Sequence, residues 1–126
     1  MIIVTTDHGR SEADGKGHGT QTPRQRSTWM VSNVKFNTYA KVDYPAIVDI
    51  LPTIAGYLQI KIPQIAAREL DGIPLTGKVS VAQPSINIFQ NKADISWQVL
   101  DTTGTAKIWL TTTNHYKTGE IGRAHV

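Results

Sequence analysis

The chain has 126 residues, of which 40% are apolar and 18% charged, a balance typical of a folded protein with one domain of modest core. Its net charge of +3 comes from scattered Lys and Arg residues, which form no basic patch for nucleic acid or an acidic membrane. The sequence contains no cysteine, so histidine and carboxylate are the strong metal ligands that it offers. No apolar run approaches the roughly 20 residues of a membrane span, and the first residues lack the pattern of a signal peptide.

The chain starts with a predicted strand at residues 2–5, Ile-Ile-Val-Thr. An apolar run without a polar break is typical of a strand that is buried on both faces. A second strand is predicted within residues 28–36, TWMVSNVKF, and we expect Trp29 to lie in the core.

Residues 46–60 carry apolar side chains at spacings of three and four, which predicts an amphipathic helix. The stripe consists of Ile47, Ile50, Leu51, Ile54, Ala55 and Leu58. Because Pro52 is tolerated only in a first turn, we expect the helix to begin near Asp49, a good N-cap residue. Asp43 and Asp49 are interpreted as cap and turn residues, not as a catalytic pair. Strand, loop, strand and helix together predict an α/β layer.

Beyond a connector at residues 71–78, DGIPLTGK, the pattern changes to an alternation of apolar and polar residues over 86–114. The sequence DTTG at 101–104 predicts a turn within this stretch. The residues expected to line one or both faces of a hairpin are Trp97, Val99, Ile108 and Leu110. This end is interpreted as the beginning of an all-β domain.

The loop after the first strand, VTTDHGRSEADGKGHGTQT at residues 4–22, contains two histidines and four glycines. Asp7 and His8 follow the strand directly, at the carboxyl end where open α/β sheets place ligand sites. His18 lies in a GKGHG turn whose flexibility lets the chain fold back to the strand end. Imidazole and carboxylate suit zinc or manganese, whereas calcium prefers oxygen ligands. The residues alone leave two alternatives open, a metal site or two separate surface histidines.

Two segments of the chain resemble the C-terminal half of the alkaline phosphatase superfamily, in particular its type I phosphodiesterase and nucleotide pyrophosphatase-like members. The first is TTDHGR followed by GKGHG, and the second is VDILPTIAGYLQI followed by DGIPL, which resembles the helix and exit segment that close the catalytic domain. The resemblance covers roughly residues 2–77. It implies the C-terminal part of an alkaline-phosphatase-like α/β sandwich, followed by the first strands of an all-β domain.

The resemblance also implies a site with two divalent metal ions, either zinc or manganese. Asp7 and His8 would bind one ion and His18 the other. In such enzymes a Thr or Ser attacks phosphorus to give a covalent phospho-enzyme. We expect that nucleophile, with the remaining ligands, in the earlier half of the family's domain. The implied substrate is a phosphate ester, and the implied location of the parent protein is periplasmic or extracellular.

Alternatives to a phosphoesterase remain. A sulfatase shares the sheet and also places an Asp and a His-Gly loop here, but sulfatases use calcium with mostly oxygen ligands, so the adjacent Asp7 and His8 favour phosphorus chemistry. A non-catalytic β-rich binding module is the third possibility. Arg10 has the reach to contact a substrate phosphate, although a local pair with Glu12 or Asp14 is the commoner arrangement.

Three segments are expected in the chain. Residues 1–77 would be the C-terminal portion of a metallophosphoesterase catalytic domain. Residues 78–119 resemble a truncated β-rich appended domain of such proteins, in which His115 is expected at the surface. Residues 120–126, EIGRAHV, resemble the translation of a sequencing-library adapter and should carry no structural meaning. The chain is thus expected to be a fragment that holds about half of a site.

Overall fold

A computed structural model of the protein describes residues 1–110 and the backbone of residues 122–124. The strands are β1 (Ile3–Thr5), β2 (Met30–Ser32), β3 (Val81–Phe89), β4 (Lys92–Val99), β5 (Ile108–Leu110) and β6 (Gly122–Ala124). The helices are α1 (Pro23–Arg26), α2 (Tyr39–Val42), α3 (Ile50–Tyr57) and α4 (Gln64–Ala67), with a 3₁₀ turn at Ile47–Asp49. Within the described ranges the strands pair as three antiparallel ribbons, β1 with β2, β3 with β4 and β5 with β6. The α/β sandwich stays a prediction, because ribbons of two strands neither establish nor exclude it.

The β1–β2 ribbon is more exposed than the sequence predicts. Val4 and Val31 are paired across it, and their exposed fractions are 50% and 61%. The prediction that the first strand is buried on both faces is therefore wrong for this structure. Burial of both faces requires a covering layer on each side, and the described part of the chain leaves one face of this ribbon open. Trp29 is also 54% exposed, so its expected core position is wrong as well.

The two ends of helix α3 can be compared with the ends that the sequence predicts. Asp49 occupies its N-cap position and Pro52 lies in its first turn, both as predicted, but the Asp49 side chain forms no cap hydrogen bond to this helix. The helix ends at Tyr57, three residues earlier than the periodicity predicts, because Gln59 adopts a left-handed conformation with φ of 56°. The backbone N–H of Ile60 then donates to the carbonyl of Ala55 over 2.8 Å, which is the bonding pattern of a Schellman C-cap.

The buried face of α3 overlaps only in part with the apolar stripe that its sequence predicts. Pro52, Thr53 and Ala55 are buried, whereas Leu51 and Leu58 are more than half exposed. The buried face packs against the connector, where Thr53 accepts a hydrogen bond from the backbone. This contact fixes the rotation of the helix about its axis. Ala55 is therefore a buried member of the stripe, whereas its larger residues Leu51, Ile54 and Leu58 stay exposed in the described part of the molecule.

The core forms around the connector between α4 and β3. Leu75 of this connector is fully buried and clusters with Tyr39 and Ala82. The partly buried residues packed against this cluster are Met30, Phe36, Ala40, Ile73 and Leu100. The connector thus contacts β2, α2 and the β3–β4 hairpin, although its sequence indicates only a linker.

Asp49 ties the start of α3 to the same connector. Its carboxylate is 2% exposed and accepts hydrogen bonds from the backbone N–H groups of Ile73, over 2.7 Å, and Ala46, over 2.8 Å. Burial and the nearby charge of Asp49 raise the pKa of Tyr39 above its usual 10.0. Asp49 is therefore the cap residue that the sequence predicts and a core residue as well.

The β3–β4 hairpin turns at Gln90 and Asn91, not at the predicted DTTG. Both residues have positive φ, 48° and 60°, as a two-residue type I′ turn requires, and Phe89 pairs directly with Lys92. The predicted hairpin around 101–104 is therefore wrong. Of its expected lining residues, Trp97 and Val99 lie on β4, and Ile108 and Leu110 lie on β5.

Residues 101–104 do form a tight bend, stabilised by a side chain. Asp101 accepts hydrogen bonds from the backbone N–H and the hydroxyl of Thr103, and Gly104 has a φ of 107°. The bend follows the hairpin and leads to β5. The adapter-like origin of 120–126 stays a prediction, and His115 lies outside the described residues. None of the helices described is long and apolar enough to cross a membrane.

Candidate metal centre

The chain leaves β1, runs through a glycine-rich loop and returns through α1 to β2. The middle of the loop is closed on itself, because the backbone N–H of Ser11 donates to the carbonyl of Gly17 over 2.7 Å. One carboxylate oxygen of Asp14 accepts hydrogen bonds from the N–H groups of Lys16 and Gly17, each over 2.9 Å. These two bonds hold the pKa of Asp14 below its usual 3.8. A hydrogen-bonded turn thus connects the segment that carries His8 to the segment that carries His18.

The ring orientation of His8 is fixed by a backbone hydrogen bond. Its Nδ1 lies 2.8 Å from the carbonyl oxygen of Gly9. A carbonyl oxygen can only accept, so Nδ1 carries the hydrogen in this contact. The neutral ring then has its free lone pair on Nε2, which is the arrangement found in metal-binding histidines that donate their other N–H to a carbonyl.

Nε2 of His8 faces the carboxylate of Asp7. The two atoms Nε2 and Oδ2 are 3.5 Å apart, which is longer than a normal hydrogen bond. Two ligands on one tetrahedral zinc ion, each at about 2.0–2.2 Å from it, lie about 3.4 Å apart. The spacing of these two donors therefore fits a shared ion.

His18 lies against His8. The centroids of the two imidazole rings are 4.4 Å apart and the ring planes differ by 21°. The lone pair of an imidazole nitrogen lies in the ring plane, and nearly parallel planes do not meet at a point close to both rings. These two histidines therefore face separate ligand positions unless one ring rotates.

After the end of β1 the structure places His8 beside Asp7 and stacks its ring on that of His18, so two pairs of the three predicted ligands are in contact. It does not assemble them into a full coordination sphere: among the described residues, no group of three or more His, Asp or Glu side chains could hold a metal ion. The donor set of one carboxylate and two imidazoles fits zinc in type, but each ion would need further ligands.

Gly9 fixes the distance between the loop and α1. Its N–H donates to the carbonyl of Gln25 over 2.9 Å, and a Cβ added at Gly9 would lie 1.9 Å from the carbonyl oxygen of Arg24. A larger residue would therefore push the loop from the helix. The glycine that directly follows His8 is needed for close approach of two backbones.

Two further residues of the loop region behave differently from the sequence interpretation. The guanidinium of Arg10 donates to the carbonyl of Lys16 over 2.9 Å, so it supports the turn instead of pairing with a carboxylate among the described residues. The sequence interpretation did not single out Gln25, which is 8% exposed and accepts two hydrogen bonds from Thr20. Pro23, a residue favoured at a helix start, is the signal that could have indicated a short helix here.

Comparison of the chain with protein-family models, with curated proteins and with solved structures finds no significant match. The resemblance to the alkaline phosphatase superfamily therefore depends on the sequence motifs alone and stays a prediction.

Proposed function

We propose that this chain is part of a metal-dependent phosphoric ester hydrolase of the alkaline phosphatase type. The observation that supports the proposal is the position of His8 after β1, where its Nε2 lies 3.5 Å from Asp7 Oδ2 and its ring stacks on that of His18.

In the proposed centre, Asp7 and His8 bind one divalent ion and His18 binds a second. The stacked rings favour two ion positions over one, because their planes do not converge. Two-metal sites place their ions roughly 3.5–4 Å apart, comparable with the separation of these rings. When bound, such ions supply electrostatic stabilisation of the phosphoryl group and of the attacking and leaving oxygens.

The residues of this chain contribute binding and orientation. The bond from His8 Nδ1 to the Gly9 carbonyl keeps Nε2 free, and the closed turn of residues 11–17 returns His18 to the strand end. The nucleophilic Thr or Ser and the remaining ligands belong, in this proposal, to a preceding part of the catalytic domain. The substrate class is a phosphate ester, and zinc or manganese is the expected metal.

Zinc titration of the 126-residue chain by calorimetry tests the ligand assignment. We expect His8→Ala and Asp7→Asn to weaken binding of the same zinc ion by roughly tenfold or more. We expect His18→Ala to weaken binding of the other ion by a similar factor. Asp71→Asn, which changes an exposed carboxylate far along the sequence, is the matched control. Zinc binding that is absent, or that survives all three changes, would contradict the proposal.

Activity assays add a second check. With only part of the site, the purified chain should hydrolyse neither an aryl phosphodiester nor an aryl sulfate in the presence of zinc or manganese. Hydrolysis that persisted in His18→Ala would overturn both the forecast and the assignment.

A further inference from the structure

Gln25 lies in the middle of α1 and is the most buried residue of that helix, with 8% of its surface exposed. A buried polar side chain is stable only if it forms hydrogen bonds. The Gln25 side chain bonds to one end of the glycine-rich loop, and its backbone carbonyl bonds to the other end.

The side chain of Gln25 binds the returning end of the loop. Its Oε1 accepts hydrogen bonds from both the backbone N–H and the hydroxyl of Thr20, over 2.7 and 2.6 Å. Only the oxygen of the carboxamide can accept, so the two donors also settle which way the amide points. Thr20 is two residues after His18.

The backbone of Gln25 binds the departing end of the same loop. Its carbonyl accepts the N–H of Gly9 over 2.9 Å, and Gly9 is the neighbour of His8. One residue therefore contacts the chain immediately after the first histidine and shortly after the second. Between these two contacts the rings of His8 and His18 stack with their centroids 4.4 Å apart.

We infer that Gln25 is a positioning residue that holds His18 against His8. The loop needs such a residue because Gly15 and Gly19 have positive φ, 67° and 94°, and glycines leave the loop many alternative conformations. The stacking part of the inference depends on geometry alone. Its consequence for metal binding rests on the proposed function.

A set of three variants separates the hydrogen-bonding role from the packing role of this side chain. Gln25→Met keeps the length and volume of the side chain but has no oxygen acceptor. Gln25→Glu retains an acceptor oxygen for both Thr20 donors. Gln21→Met is the matched control, since Gln21 is an exposed glutamine of the same loop.

The first measurement requires no metal. In the nuclear Overhauser spectrum, we expect cross-peaks between the ring protons of His8 and His18 in the parent chain, in Gln25→Glu and in Gln21→Met. We expect them to disappear in Gln25→Met, whose far-ultraviolet circular dichroism should stay like that of the parent. Cross-peaks that persist in Gln25→Met, or that are missing from the parent, would refute the inference.

The second measurement concerns zinc. Gln25→Met should weaken zinc binding by about tenfold in the parent background, as loss of an orienting contact does. It should change nothing further in a His18→Ala background, because Gln25 acts through that histidine. An equal loss in both backgrounds would mean a general structural role and would refute the positioning role. A parent chain that shows the ring cross-peaks but binds no zinc would refute the proposed function and leave the positioning role supported.

Discussion

Two small polar side chains, Asp49 and Thr53, organise the packing of this protein at the level of single residues. The hydroxyl of Thr53 donates to the Asp49 carbonyl over 2.6 Å and accepts the N–H of Leu75 over 2.7 Å. Thr53 and Leu75 are both fully buried, so this N–H has no access to water. The bond therefore stabilises the connector on α3 by avoiding an unpaired buried donor.

Replacement of Thr53 by Val tests this contact. The shape of the side chain is nearly kept, but the N–H of Leu75 loses its acceptor, which should lower the free energy of unfolding by about 1–3 kcal/mol. Urea denaturation followed by circular dichroism measures the change. Thr105→Val, at an exposed position, should leave stability within about 0.5 kcal/mol, and an equal effect of both changes would contradict the explanation.

At the level of elements, the connector before β3 packs on α3 with almost no space between the backbones. A Cβ added at Gly72 would lie 2.0 Å from the carbonyl oxygen of Val48, next to the helix start. The close approach allows Asp49 to reach the N–H of Ile73. Glycine is thus required at this position of the connector because a side chain would prevent the close approach of the two backbones.

A pair of glycine substitutions tests the packing of α3. Gly72→Ala should destabilise the chain by about 1–3 kcal/mol, because backbone atoms must move to make room. Gly56→Ala has open space around it and lies within α3, so it should stabilise the chain by about 0.5–1 kcal/mol. Thermal unfolding of the two variants should shift in opposite directions. A shift in the same direction would show that the close approach is relaxed in solution.

On the scale of the whole molecule, the core described here is small and lies between the connector, α2 and the base of the β3–β4 hairpin. An ion pair joins the connector to the end of the hairpin, with Lys78 Nζ 2.6 Å from Asp101 Oδ2. The ammonium of Lys78, together with the N–H and hydroxyl of Thr103, lowers the pKa of Asp101 to about 2. The folded chain therefore favours the charged form of Asp101 over its protonated form more strongly than the unfolded chain does.

This ion pair gives a pH dependence with a defined sign. Since the folded pKa is depressed, its contribution to stability is present above the ordinary value of 3.8 and is lost as the pH falls towards about 2. The carboxyl carbon resonance of Asp101 should titrate near 2 in the parent chain and closer to 3.8 in Lys78→Met. Lys92→Met, which removes a charge from the hairpin turn, should leave that titration unchanged. An unchanged midpoint in Lys78→Met would show that the pair does not form in solution.

Apolar residues that are patterned for burial are exposed at two places in the described part of the molecule. Leu51 and Leu58 of the α3 stripe and the Val4–Val31 pair of the β1–β2 ribbon are patterned for burial, yet all of them are exposed among residues 1–110. A pattern of apolar residues records which faces can be covered. It does not record what covers them, because that depends on elements distant in the sequence.

Local chemistry was sufficient to predict several features of this protein. The N-cap of α3 at Asp49 and the place of Pro52 in the first turn follow from short-range rules, and so does a glycine loop that returns His18 towards His8. The metal, the reaction and the domain boundaries remain predictions. The positions of Asp7, His8 and His18 do not determine them.

Tertiary structure decided the rest. The hairpin turn at Gln90 and Asn91 contains no glycine or proline, so only the pairing of its two strands reveals it. The rotation of α3 is also a tertiary feature, because the hydrogen bond between Thr53 and the N–H of Leu75 joins the helix to a connector more than twenty residues away. Gln25 likewise acquires its role only when the loop closes, since the residues that it joins, Gly9 and Thr20, are eleven positions apart.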